Sequence, residues 1–96
     1  MTYKLKFTKQ SQKEWGKLNQ TVVIQFKKKL KERLDNPKVP KDKLSGYDNI
    51  YKIKLRSSGF RLAYEVKEAE IIVLVLSVGK RENNQVYSAL RNRMMH

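Results

Sequence analysis

Tyr51-Lys-Ile-Lys-Leu-Arg-Ser-Ser-Gly-Phe-Arg-Leu-Ala-Tyr64 is the stretch that decides how this chain folds. Tyr51, Ile53 and Leu55 alternate with Lys52, Lys54 and Arg56, so one set of side chains faces a core and the other faces water. Ser57-Ser58-Gly59 marks a tight turn, after which Phe60, Leu62, Tyr64 and Val66 resume the apolar face. The stretch predicts an antiparallel hairpin. Downstream, Lys67 to Glu70 predicts a second turn. The β-branched run Ile71 to Val78 predicts a central strand covered on both faces and ended by Gly79.

Upstream, Tyr3, Leu5 and Phe7 alternate with lysines and predict a half-buried strand. Thr8 is placed to cap a first helix with Trp15 and Leu18 turned inward, and Asn19-Gln20-Thr21 predicts a break with a new cap at Thr21. Val22 or Val23, Phe26, Leu30 and Leu34 recur at helical steps until Asn36-Pro37 stops the second helix. Residues 37–49 read as a polar connection. Asn83 or Asn84 predicts the cap of a short last helix carrying Val86, Leu90 and Met94 on one side. The expected order is β-α-α-β-β-β-α. That is an α+β fold, with a mainly antiparallel four-stranded sheet on an N-terminal helical hairpin and a short C-terminal helix. With 96 residues and no linker, residues 1–96 are expected to form a single domain.

The formal net charge of +13 is extreme for this length and points to a polyanionic partner. The absence of cysteine removes disulfides, thiolate metal sites and a cysteine nucleophile, and suits a reducing compartment. No charged-then-apolar leader opens the sequence, and Ile71 to Leu76, the longest apolar run, is too short to cross a bilayer. A soluble, cytoplasmic protein with no membrane partner is therefore expected.

Elimination narrows the chemistry. His96 is the only histidine and is the last residue, so a histidine acid–base pair is not expected. Asp42, Asp48, Glu65, Glu68, Glu70 and Glu82 lack the paired spacing of a metal–carboxylate nuclease, so no metal or other cofactor is expected. Any phosphodiester cleavage must then rest on Lys, Arg and Tyr. Residues 50–64 hold Lys52, Lys54, Arg56 and Arg61 without a carboxylate, and a hairpin would draw them together. Like charges that close repel unless an anion sits between them. A second cluster, Lys80, Arg81 and Tyr87, follows the last strand. Cations near Tyr87 would favour its phenolate.

The Tyr51–Tyr64 stretch, together with Ser77-Val-Gly-Lys-Arg-Glu82 and Val86-Tyr87, resembles the RelE toxins of bacterial type II toxin–antitoxin systems, within the RelE/ParE superfamily. Lys13-Glu-Trp-Gly-Lys-Leu18 and Lys27-Lys-Lys-Leu30 extend the likeness over nearly the whole chain in the same order. The resemblance implies a ribosome-dependent mRNA interferase, inactive on free RNA. Such an endoribonuclease cleaves mRNA in the A site of the 70S ribosome and so inhibits translation. The RNA 2′-hydroxyl attacks, leaving a cyclic phosphate and a 5′-hydroxyl. Lys52, Lys54, Arg61, Arg81 and Tyr87 are the implied catalytic set. An acidic, RelB-like antitoxin is the implied partner; it would displace or distort the last helix, and operator DNA would be bound only by the toxin–antitoxin complex.

Residue types suggest roles within that set. Lys52, Lys54 or Tyr87 could take the 2′-hydroxyl proton, while Arg61, planar and permanently charged, suits a phosphate clamp. Arg81 suits electrostatic stabilisation of the leaving oxygen better than proton donation, and Tyr87 is alternatively a stacking platform for a base. Arg56, Lys80 and the helical lysines Lys27, Lys28 and Lys31 are candidates for binding RNA. One departure stands out: Leu44-Ser45-Gly46 occupies a step that often reads Leu-Arg-Gly in the family, with Lys41 or Lys43 as possible substitutes. Two alternatives stay open. One is a ParE-like toxin of the same fold that poisons DNA gyrase; the other is a non-catalytic RNA-binding module, which would tolerate Lys–Arg exchange at Lys52 and Lys54.

Overall fold

The computed structural model describes residues 2–80, and the expected last helix lies outside the described residues. The elements run β1 (Lys4–Phe7), α1 (Lys9–Gly16), α2 (Gln20–Asp35), a 3₁₀ turn (Pro40–Asp42), β2 (Ile50–Lys54), β3 (Phe60–Lys67) and β4 (Ile72–Lys80). The strands form one sheet in the order β1-β4-β3-β2, with β1 parallel to β4 and the other pairs antiparallel. This is the expected α+β architecture, with both helices on one face of a mixed, mostly antiparallel sheet.

Local chemistry fixes the helices. Thr8 caps α1 as expected, its Oγ1 accepting the Ser11 amide at 3.0 Å. The second cap is Asn19, not Thr21: Asn19 Oδ1 accepts the Val22 amide at 2.9 Å. Asparagine is the stronger cap, and starting there gains helix on residues otherwise left as a loop. Val22, Phe26 and Leu30 of α2 are buried on Tyr51, Ile53 and Leu55, so the apolar side read for the hairpin is the core side. Trp15 locks the layers, 5.2 Å from the Phe7 ring edge-on and 6.0 Å from Phe26. The one lapse in the expected β1 pattern is Leu5, which remains 36% exposed on an edge strand of four residues.

β4 is the central strand, though it runs through Gly79 to Lys80 instead of ending at the glycine. β1 reaches only as far as Val75, so the rest of the β4 edge would be left unpaired on that side. Helix α1 supplies the missing partners. Fully buried Ser11 donates its hydroxyl to the Val75 carbonyl at 2.7 Å, and Glu14 Oε1 accepts the Val78 amide at 3.1 Å. The sequence marks neither residue as special.

The connection at 37–49 is more than a polar linker. The Leu44 amide donates to the Ile50 carbonyl at 2.9 Å, and Lys43 bridges to Tyr51. Leu44 and Tyr47 fold under the second face of the sheet against Ile50, Ala63 and Leu76. Above it sits a polar hub. Arg33 donates to Tyr64 Oη at 2.9 Å, to the Lys52 carbonyl at 3.2 Å and to Asp42 Oδ2 at 2.5 Å. The Tyr64 hydroxyl donates to the Pro37 carbonyl at 2.7 Å. Burial works against the Arg33 charge, but bonds to Tyr64 and Asp42 more than offset it and hold the guanidinium above its ordinary pKa. Burial pushes the Tyr64 phenol up, with Arg33 opposing. Among the described residues no helix is long and apolar enough to cross a membrane.

Arg33→Met should cost about 1–3 kcal/mol in urea unfolding, because it strands a half-buried carboxylate, the Tyr64 phenol and a carbonyl. Tyr64→Phe should cost about 1–2 kcal/mol at neutral pH. Because the folded Tyr64 pKa lies above the ordinary value of 10.0, that contribution is complete below pH 10 and is lost as pH rises through the folded value. The stability gap between wild type and Tyr64→Phe should therefore be flat at neutral pH and close above about pH 10 in pH-resolved unfolding.

Candidate active site

The hairpin register brings the expected cations together. Lys54 stands directly opposite Arg61, the last pair before the turn. Residues opposite in an antiparallel pair have Cβ atoms about 5 Å apart. Lys52 faces Ala63, a buried methyl, and is diagonal to Arg61. On the far side of β3, Arg61 pairs with Gly79, which brings no side chain beside it. Lys52, Lys54 and Arg61 thus share the sheet face away from the helices. At one end Leu44 and Tyr47 cover that face; at the other the lysine–arginine pair borders a cleft of about 320 Å³ lined by Lys54, Leu55, Arg56, Gly59, Phe60 and Arg61.

The turn itself spans Arg56 to Gly59, closed by the Leu55 amide on the Phe60 carbonyl at 2.9 Å and the Gly59 amide on the Leu55 carbonyl at 2.9 Å. Gly59 sits at φ +77°, a conformation that L side chains rarely adopt. Arg56 is therefore a turn residue and not the next step of the strand, and it lines the cleft from the tip. Lys80 pairs with Phe60, and its Nζ lies 5.9 Å from the ring centroid. Strand alternation then sets it one step off the Lys54–Arg61 pair. Of the helical lysines, Lys28 faces the hairpin turn in a second cleft of about 420 Å³, joined there by Lys29 and Gln25, while Lys27 and Lys31 are exposed outside it. Arg81 and Tyr87 lie outside the described residues.

Two features escape sequence reasoning. The carboxylate-free window ends at Tyr64, and the register then puts Glu65 opposite Ile50, one diagonal step from Lys52. An acid at that end concentrates the attraction for an anion at Lys54 and Arg61. Arg33 holds the backbone of Lys52 through its carbonyl, although on the helix it reads as one more surface cation. Other acids are engaged elsewhere: Asp42 with Arg33, Glu68 with Lys38, and Glu70 with Lys67. The hydrogen bond that the Lys38 ammonium donates to the Glu68 carboxylate holds it above its ordinary pKa. Ser45 lies exposed in a hollow of about 430 Å³ that also includes Lys43, so Lys43 is the nearer candidate to replace an arginine at that step; Lys41 does not line it.

Residues 5–85 match the family described as ParE toxin of type II toxin–antitoxin system. The chain belongs to the RelE/ParE toxins. It is 50% identical over 95 residues to the mRNA interferase toxin RelE of Escherichia coli K12, covering 99% of this chain and 100% of that protein. It is similar in structure to free E. coli RelE carrying two arginine-to-alanine substitutions, with a TM-score of 0.90 and 49% identity over 98% of this chain and 99% of the other. It is also similar to the toxin in the intact E. coli RelBE toxin–antitoxin complex, with a TM-score of 0.81 and 51% identity over 84% of this chain and 99% of the other. The Lys54–Arg61 pair of this family member therefore sits on a RelE scaffold.

Gly59→Ala should cost about 1–2 kcal/mol through backbone strain alone, since a methyl there meets nothing within 4 Å. Gly59→Asn should cost less, and thermal unfolding of the two variants checks the order.

Proposed function

We propose that this chain is the toxin of a type II toxin–antitoxin pair and acts as an mRNA interferase. It cleaves mRNA in the A site of the 70S ribosome and is held inactive by an acidic, RelB-like antitoxin. Operator DNA is bound only through that complex. The whole chain, residues 1–96, works as one cytoplasmic toxin domain. The observation that carries this reading is the cross-strand pairing of Lys54 with Arg61 beside Lys52, in a chain half identical to a RelE interferase over nearly its full length. The matching family is named for ParE, yet identity at that level and coverage favours the RelE activity over gyrase poisoning.

The residues suit cleavage by the RNA's own 2′-hydroxyl. Arg61 is permanently charged and planar, and stabilises the phosphorane as negative charge builds on its oxygens. Lys52, Lys54 or Tyr87 removes the 2′-hydroxyl proton, and the electron pair of that oxygen forms the new bond to phosphorus while the 5′-oxygen departs. Arg81 stabilises the departing oxyanion, which takes a proton from water, and the base releases its proton to solvent. Lys54 and Arg61 are preorganised by the strand ladder, so little energy is lost in bringing them together. The small number of chemical groups fits a reaction in which the ribosome positions the codon.

Mapping mRNA 5′ ends on translating ribosomes tests the reading. New ends within the A-site codon are expected with the wild type, and none would reject it. Arg61→Ala should lower the cleavage rate by about 100-fold or more while the fold persists. Lys54→Arg and Lys52→Arg separate proton transfer from binding: a residue that moves the proton loses cleavage on exchange, whereas one that only binds RNA keeps most of it.

A further inference from the structure

The lysines of the candidate site stand on an edge strand, and the ladder turns their main chain outward. β2 comes last in the order β1-β4-β3-β2 and pairs with β3. The Leu55 amide donates to the Phe60 carbonyl, so Leu55 turns its polar groups toward β3. In an antiparallel ladder that orientation alternates, which turns the N–H and C=O of Lys54, Lys52 and Ile50 away from β3. Whatever grips those outward groups sets where the lysine side chains begin. The Ile50 carbonyl accepts from the Leu44 amide at 2.9 Å. The Lys52 carbonyl accepts from Arg33 Nη1 at 3.2 Å.

A carbonyl on a sheet edge needs no arginine, since water satisfies it. This one is held by a side chain only 13% exposed, and the guanidinium is braced on both sides. Its Nη1 also donates to Tyr64 Oη, on the β3 residue that pairs with Tyr51, next to Lys52. Its Nη2 is fixed by the Asp42 carboxylate in the 3₁₀ turn. β2 is thus tied to β3 a second time, from outside the ladder. We propose that Arg33 is a positioning residue for RNA cleavage. Through the Lys52 carbonyl it fixes the offset of β2, and with it the place of the Lys52 ammonium relative to Arg61; Asp42 and Tyr64 are its braces. Reacting groups tolerate little misplacement, and a shift of about 1 Å costs up to about 100-fold in rate. The inference rests on the mRNA interferase reading and adds to it a residue that acts from the helix side of the sheet.

The test uses the full chain, with cleavage rates measured over a range of ribosome concentrations beside urea unfolding of each variant. Arg33→Lys keeps the charge but cannot hold three acceptors at once. In protein that is fully folded at the assay temperature, its kcat should fall about tenfold with KM unchanged. Asp42→Asn, which retains an oxygen acceptor, should keep most of kcat, whereas Asp42→Leu should fall with Arg33→Lys. The deciding comparison is made in Lys52→Met, which has its own lowered kcat. There Arg33→Lys should still lower the unfolding midpoint but no longer change kcat, because the group it positions is gone. A wild-type kcat in Arg33→Lys, or a loss of equal size in the Lys52→Met background, overturns the positioning role and leaves Arg33 a structural residue. A second readout needs no cleavage: the carbonyl carbon resonance of Lys52 should move in Arg33→Lys with the rest of the core unchanged. Cleavage by wild type with no such movement overturns the anchoring. Movement of the resonance in a protein whose wild type cleaves nothing overturns the interferase reading, and the catalytic role with it, and leaves the anchoring of Lys52 standing.

Discussion

The guanidinium of Arg33 is the point through which the polar parts of this fold are tied together. One planar group on α2 holds a carboxylate in the connection, a phenol on β3 and a main-chain carbonyl on β2. Tyr64 carries the chain of bonds on to Pro37, where the helix has just ended. Four segments distant in sequence are thereby set at fixed offsets by one fork of N–H donors, which a lysine's single ammonium cannot reproduce. The Tyr51 ring stacks on Tyr64 at 5.9 Å, so the hub is also packed into the apolar core. The carbonyl it grips belongs to Lys52. Fold stability and the placement of a candidate catalytic strand are in this sense one constraint.

A second constraint is electrostatic. A chain of +13 must spread its cations or meet an anion. Most lysines stand exposed on the two helices and the connection, where water screens them. At the hairpin the register does the reverse and sets Lys54 against Arg61, with Lys52 on the same face. The fold accepts that local repulsion because the strands beneath are held by a core of buried aliphatic and aromatic side chains. That juxtaposition of two cations suits the phosphate-binding role proposed for the pair.

Much of this was legible in the sequence. The alternation in Tyr51–Tyr64 gives the hairpin, its core side and the shared face of Lys52 and Lys54, because strand geometry has a period that side-chain polarity records directly. Thr8 announces its helix, and Val22, Phe26 and Leu30 announce the face of α2 that is buried. Asn19 takes the cap instead of Thr21 because asparagine is the stronger cap and the earlier start adds residues to the helix. The connection read as a linker because Leu44 and Tyr47 are isolated apolar residues among turn formers; no periodicity shows that they close the second face of the sheet. Arg33, Ser11 and Glu14 left no signal, since each matters through partners distant in the chain.

What the sequence determined by itself is the set of elements, the apolar sides they bury and the cationic hairpin, all of which follow from spacing along one stretch of chain. Only the tertiary structure decided that Lys54 meets Arg61 across the ladder, that Glu65 stands a diagonal step from Lys52, and that Gly79 lies beside the arginine. Only it turned Arg33 from a surface cation into the hub. The physical reason is the same in each case. Polarity patterns encode which way a side chain points relative to its own strand or helix. Which side chain it meets depends on register and on the approach of separate elements, and both are fixed by the packing of the whole core.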